Sequence, residues 1–299
     1  MKISENVTGA LLMMGAMTAF TVNDAFMKGL SSSMPLFQAL LLRSLCVIVA
    51  MTLLCRVMGQ LRFDLPRRDW MIIAIRSLSE VGGAYFFLTA LFNMPIANVS
   101  AILQVLPLTV SLGGALFLRE PLGWRRLLAI VIGFCGVMLI VRPGGADFNG
   151  YAIMAVAAVL CVTVRDLSVR FLSPGVPSLM VSWGAVVGVL LFSAVGALFV
   201  EWQPITGLAR VQVIGTATFV IFGYICSVAA MRVGQISFVA PFRYTSLLVA
   251  IVLGVLFFNE FPDTVTLVGA ALVVATGLFT LWREARLRIE RPVLPDRLR

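Results

Sequence analysis

The sequence predicts an all-α membrane protein of ten transmembrane helices arranged as two inverted five-helix repeats. Three observations carry that expectation: a composition too apolar for water, ten apolar runs of spanning length, and a residue pattern that occurs twice. Of the 299 residues, 60% are hydrophobic and 12% are charged. A soluble domain carries roughly a quarter charged residues, so this chain is unable to cover a water-facing surface. Its mean hydropathy is +1.02.

The runs follow in order. A helix needs about 20 apolar residues to cross a bilayer. The first run, 7–29, follows a start with little positive charge and no small-residue cleavage site, so it is expected to be a retained span. Pro35 opens the second, 36–57. Trp70 opens the third, 70–92, which holds Arg76 and Glu80. The fourth, 97–118, contains Pro107 and stops at Arg119-Glu120-Pro121. The fifth is 124–141. A Pro/Gly-rich seam from Arg142 leads to the sixth, 150–171, with Arg165 and Asp166 late in it. Pro177 precedes the seventh, 178–199, and the eighth is 211–231. The ninth, 236–258, contains Pro241 and stops at Asn259-Glu260, and the tenth is 264–282. The domain reading is therefore a first repeat at 1–141, a connecting loop at 142–149, a second repeat at 150–282 and a basic tail at 283–299.

Basic residues orient the bundle. With the N-terminus inside, the inside segments and tail hold sixteen Lys and Arg, and the outside segments hold only Lys28, Arg142 and Arg210. Both termini are then cytoplasmic. The formal charge of +9 is a topology signal and an anionic-lipid contact, not a nucleic-acid footprint.

The repeat is visible in polar residues. Thr21-Val22-Asn23-Asp24 with Lys28 returns as Thr163-Val164-Arg165-Asp166 with Arg170, 142 residues later. Glu260 follows Glu120 by 140 residues, Ala230-Met231 follows Ala90-Leu91 by 140, and Pro177 follows Pro35 by 142. Five spans per copy is an odd number, so the second copy enters the membrane from the opposite side. Pro241 has Ala101 as its counterpart and Pro107 has Leu247, which implies that the two kinked helices bend at different depths.

The five-plus-five pattern, the helices closing on Arg119-Glu120-Pro121 and Asn259-Glu260, and the glycine-bearing helix after each resemble the EamA family of the drug/metabolite transporter superfamily. The resemblance covers almost the whole chain and is strongest to the YddG-type bacterial amino-acid exporters. It implies a central cavity between the EamA repeats, an inner-membrane location and export of small metabolites.

Ionisable groups inside spans are costly, on the order of 2.5–3.5 kcal/mol each on insertion scales, and mark candidate sites. Arg76 and Glu80 lie four apart on one helix face. They either line the cavity, offering both charges to a zwitterion, or form a structural ion pair. Tyr85, Gln104, Tyr224, Arg243 and Tyr244 complete the expected cavity set. Arg43 and Arg243 are deep single charges, each suited to a substrate carboxylate or to a nearby acid. Asp24 with Lys28, and Asp166 with Arg170 beside Arg165, fall toward opposite mouths; they are expected to gate the two sides or to snorkel to the interface. Glu120 and Glu260 are expected to cap the turns that adjoin them, and Gly184 and Gly188 to pack helices.

Five cysteines in apolar runs lack paired spacing, and the chain has no histidine, so no metal or cofactor is expected. There is no phosphate-binding loop and no nucleophile–base set, so no enzyme is expected. The reading is a secondary transporter exporting small zwitterionic metabolites, amino acids including aromatic ones, with the lipid bilayer as its other partner and a monomer as its form. The alternatives are a drug, cation or nucleotide-sugar carrier of the same superfamily, or a non-transporting membrane protein.

Overall fold

The computed structural model describes residues 5–119, 123–143, 149–173, 175–233 and 236–290. The first half contains α1 (Glu5–Leu30), α2 (Leu36–Val57), α3 (Arg67–Asn93), α4 (Ile96–Leu103), α5 (Leu106–Phe117) and α6 (Trp124–Val141). The second contains α7 (Tyr151–Ser168), α8 (Ser178–Gly196), α9 (Gly207–Val233), α10 (Ile236–Val239), α11 (Thr245–Phe258) and α12 (Thr264–Glu290). Among the described residues, ten segments are long and apolar enough to cross a membrane; α4 and α5 make one of them, and 240–258 makes the ninth. The segment expected as a tail begins as helix, since α12 runs on to Glu290.

The breaks in the fourth and ninth spans fall at equivalent depth, not at different depths. α4 stops at Leu103, and Pro107 sits in the first turn of α5. In the other half a 3-10 turn, Ala240–Tyr244, carries Pro241 and separates α10 from α11. Gln104 and Tyr244 are repeat equivalents, and both lie in the breaks. Each proline removes one backbone donor on its own side of the same weak point, so unlike placements give like bends.

The packing obeys the repeat. α1 packs along α9, and its equivalent α7 packs along α3, the equivalent of α9. α6 packs on its own equivalent α12, and α2 on its own equivalent α8. Short connections make successive spans antiparallel, so the second set of five runs inverted relative to the first. The near end of the bundle is the one where α1 begins, and the far end is the one where it finishes.

Apolar clusters fill the bundle. One joins Val99, Ile102 and Leu108 to Val137, Ala155 and Val273; another, at the far end, joins Leu30, Leu40 and Leu91 to Ile96 and Ala250. The outer surface is also apolar: Leu53 and Leu78 are exposed, as are Phe199 and Leu256. Such a surface suits lipid, where every backbone polar group must be satisfied within the helix. α6 and α12 cross closely at Gly136 and Gly269, where a Cβ on Gly136 would lie 2.8 Å from the Gly269 carbonyl oxygen. Gly184 and Gly188 face Ile73, Ser77 and Val81, so that pair seats α8 on α3.

The helix ends before the two marker acids are alike. Arg119 and Asn259 both adopt the left-handed conformation, at φ 54° and 53°. Asn tolerates that region better than most side chains, and its placement stops α11 cleanly. The Glu260 N–H then closes back on the Gly254 carbonyl at 2.9 Å. Glu120 and Pro121 lie outside the described residues.

Candidate functional site between the repeats

A small cavity of about 70 Å³, opening to the surroundings, lies between α2 and α3 of the first repeat and α8 and α9 of the second. The four helices are two equivalent pairs, so the pocket straddles the pseudo-two-fold relation. The lining repeats it residue by residue. Arg43 and Ala185, Ser44 and Val186, and Val47 and Val189 are equivalents at an offset of 142. Ala84 and Tyr224 are equivalents at an offset of 140. The remaining lining residues are Arg76, Glu80 and Ser182.

The charges around this space are connected. Arg165 of α7 reaches Glu80 of α3 at 3.4 Å and its own neighbour Asp166 at 2.8 Å. These side chains are about a quarter exposed. Arg76 does not pair with Glu80. Its guanidinium donates to the Val181 carbonyl at 3.2 Å, and its buried Nε has no partner. Arg43 makes no ion pair or hydrogen bond among the described residues. Asp24 lies within electrostatic reach of it, and Tyr224 within reach of Arg43, Arg76, Glu80 and Arg165. Asp24 accepts a hydrogen bond from Asn23 Nδ2 at 2.8 Å, while Asn23 Oδ1 accepts one from Thr216 at 2.7 Å. The cluster thus holds three guanidiniums and three carboxylates.

A second polar group closes the far end. Lys28 lies 2.8 Å from Glu260 and also donates to the Met94 carbonyl. The other carboxylate oxygen of Glu260 accepts the Ile96 N–H at 3.0 Å, capping the first turn of α4. Glu260 therefore caps a helix of the other repeat, not its own adjoining turn. Also at this end, Gln38 exchanges two hydrogen bonds with the backbone of Gln203, at 2.8 and 2.9 Å. At the near end the buried Asp69 accepts from the N–H and hydroxyl of Ser173, both at 3.2 Å.

Of the residues expected in the cavity, Arg76, Glu80 and Tyr224 line the pocket, and the rest lie elsewhere. Tyr85 stacks on Phe37 with ring centroids 6.0 Å apart. Gln104 donates to Ser246 at 2.8 Å, between the two broken helices. Tyr244 is buried there with its hydroxyl unpartnered, and Arg243 is exposed. Among the expected gating residues, Lys28 meets Glu260 and not Asp24, while Asp166 meets Arg165; Arg170 is exposed at the near end. Ser44, Ser182 and Asp69 carried no sequence signal beyond being short polar or acidic side chains. Arg43 was legible as a deep charge, but its neighbours were not.

Two inverted bundles of five spans enclosing a charged pocket define a membrane protein of the inverted-repeat transporter type. Residues 7–142 and 149–282 each match the EamA-like transporter family, and the chain belongs to that family. It is similar to the riboflavin transporter of Vibrio cholerae, at 29% identity over 95% of this chain and 97% of that one. It is similar to an S-adenosylmethionine uptake transporter of Rickettsia conorii, at 25% identity over 64% of this chain; the match spans 65% of that relative's length. It is also similar to the pseudopaline exporter CntI of Pseudomonas aeruginosa, at 25% identity over 89% of this chain and 93% of the other. None of these three is named as an amino-acid exporter. A solved crystal structure shares the fold, with a TM-score of 0.64 over 95% of this chain at 19% identity.

Proposed function

We propose that the chain is a secondary transporter that moves a small zwitterionic metabolite across the bacterial inner membrane by alternating access. Amino acids, aromatic ones included, are the first candidates, and export is the proposed direction. One observation carries the reading: Arg43, Arg76, Glu80 and Tyr224, with Arg165 behind Glu80, surround one pocket made by both repeats. A cluster balanced in total charge, with both signs interleaved around one pocket, suits a cargo that carries both signs, and in a low-dielectric site each attraction counts for more than in water. The relatives add that the family handles metabolites in both directions, since one is named for uptake and another for export.

The excess of basic residues at the near end supports a cytoplasmic near end with both termini inside. The two repeats then rock about the pocket. Lys28 with Glu260 closes the outer mouth, and Arg170, the equivalent of Lys28, serves the inner one. Asp24 and Asp166 bias which mouth is closed. Counterflow of labelled cargo in proteoliposomes tests the reading, using the common amino acids with riboflavin and S-adenosylmethionine beside them. Saturable counterflow of an amino acid supports it. Flux of riboflavin alone, or of nothing above empty liposomes, sinks the zwitterion assignment.

A further inference from the structure

We infer that the pocket reads its cargo with two unlike walls: Arg43 and Arg76 take one carboxylate, and the α8 face of Ala185, Val186 and Val189 takes an apolar substituent. The inference rests on the transport reading above and names the cargo class of that same site. Its first support is the lopsidedness of a lining that the fold makes symmetric. Repeat-equivalent positions face the same space, yet α2 presents Arg43 and Ser44 where α8 presents Ala185 and Val186. Two stacked copies of one scaffold do not create that difference. It is written in the side chains, and it gives the pocket a head and a tail.

The second support is which charges are already engaged. Glu80 is held by Arg165, and Arg165 also holds Asp166. Arg76 spends one donor on the Val181 carbonyl and keeps a buried Nε with no partner. Arg43 has no ion pair or hydrogen bond among the described residues. The buried Arg76 Nε lacks an acceptor, and the half-buried Arg43 faces Asp24 without a direct contact, so these two guanidiniums are the groups an anionic ligand satisfies. The ligand is a monoanion at this end. Glu80 lies one helical turn from Arg76 on the same face, and it opposes the second charge of a phosphate while leaving a place for an ammonium. Ala185, opposite Arg43 in the repeat, gives that side of the lining a short apolar face.

Binding to the purified full-length protein tests this without requiring flux. The probes are phenylalanine, phenylalaninamide, glycine and inorganic phosphate, titrated calorimetrically. Phenylalanine is expected to bind, the amide and phosphate at least about tenfold more weakly, and glycine more weakly than phenylalanine. Arg43→Gln and Arg76→Gln are each expected to weaken phenylalanine about tenfold or more, with Arg43→Lys retaining part of the affinity. Ala185→Leu is expected to weaken phenylalanine while sparing glycine. Ligand-free melting of each variant establishes that it is folded. Equal binding of acid and amide, full affinity in the folded Arg43→Gln protein, or no binding of any carboxylate probe overturns the inference. Binding without counterflow sinks the transport reading and leaves the inference standing. Counterflow that treats acid and amide alike does the reverse.

Discussion

Lys28 of the first repeat and Glu260 of the second meet at 2.8 Å, and Glu260 also caps α4 of the first repeat through the Ile96 N–H. One carboxylate thus ties three segments at the far end. Glu260→Gln keeps an acceptor for Ile96 but leaves a buried ammonium without its counter-charge, held only by the Met94 carbonyl and the face of the Phe258 ring. The expected cost is about 1–3 kcal/mol, read by chemical denaturation. The same change is expected to open the far end, so that a cysteine placed at the buried Met34 labels faster with an impermeant thiol reagent. Unchanged labelling in a destabilised protein would make the pair a staple and not a gate.

Arg165 serves two acids at once, so its variants should be non-additive. Arg165→Gln alone leaves Glu80 and Asp166 without their cation. Removing one partner of a desolvated pair costs more than removing both. The double variant Arg165→Gln, Glu80→Gln is therefore expected to be more stable than Arg165→Gln alone, by about 1 kcal/mol at this partly exposed site. A double-mutant cycle in thermal unfolding checks the sign; strict additivity would show that the 3.4 Å contact is weak.

The α6–α12 seam is remote from the pocket and should behave as pure packing. Gly136→Val drives a side chain toward the Gly269 backbone and is expected to cost about 1–3 kcal/mol or more. Cargo affinity of the folded fraction should stay unchanged. A tenfold loss of affinity would mean that the seam communicates with the site.

Asp263 supplies a pH dependence outside the spans. Its carboxylate accepts the Thr266 N–H at 2.7 Å at the start of α12 and pairs with Arg142. The Thr266 hydrogen bond first, and Arg142 beside it, hold its pKa below the usual carboxylate value. A lowered folded-state pKa gives stability that is present above the unfolded value and is lost as pH falls through the folded one. Asp263→Asn is expected to cost about 0.5–1 kcal/mol at neutral pH, in the range of a lost cap. The gap between variant and wild type should close as pH falls below about 4, the ordinary Asp value. A gap that persists at low pH would assign the effect to shape and not charge.

The sequence carried the fold because apolar run length and polar repeats are one-dimensional signals. Asp24 and Asp166, or Pro35 and Pro177, stand in register without any knowledge of packing. The pocket was harder. Arg76, Glu80 and Tyr224 were legible because polar groups inside spans are few. Tyr85, Tyr244 and Gln104 have the same chemistry, yet helix rotation turns Tyr85 onto Phe37 and buries Tyr244 between the broken helices. Rotation is set by ridge-and-groove contacts between distant spans, which no local pattern records. The pairing of Lys28 with Glu260 over Asp24 was hidden for the same reason, since their separation in sequence is 232 residues.

Transport as proposed requires that one pocket, walled by both repeats, be reached alternately from the two sides of the membrane. Ala84→Cys in a cysteine-free version of the chain, reconstituted in proteoliposomes, places a single thiol on that wall. Impermeant thiol reagent applied to either face should label it, and bound cargo should protect it from both. Labelling from one face only, whatever cargo is present, or from neither, would contradict the account.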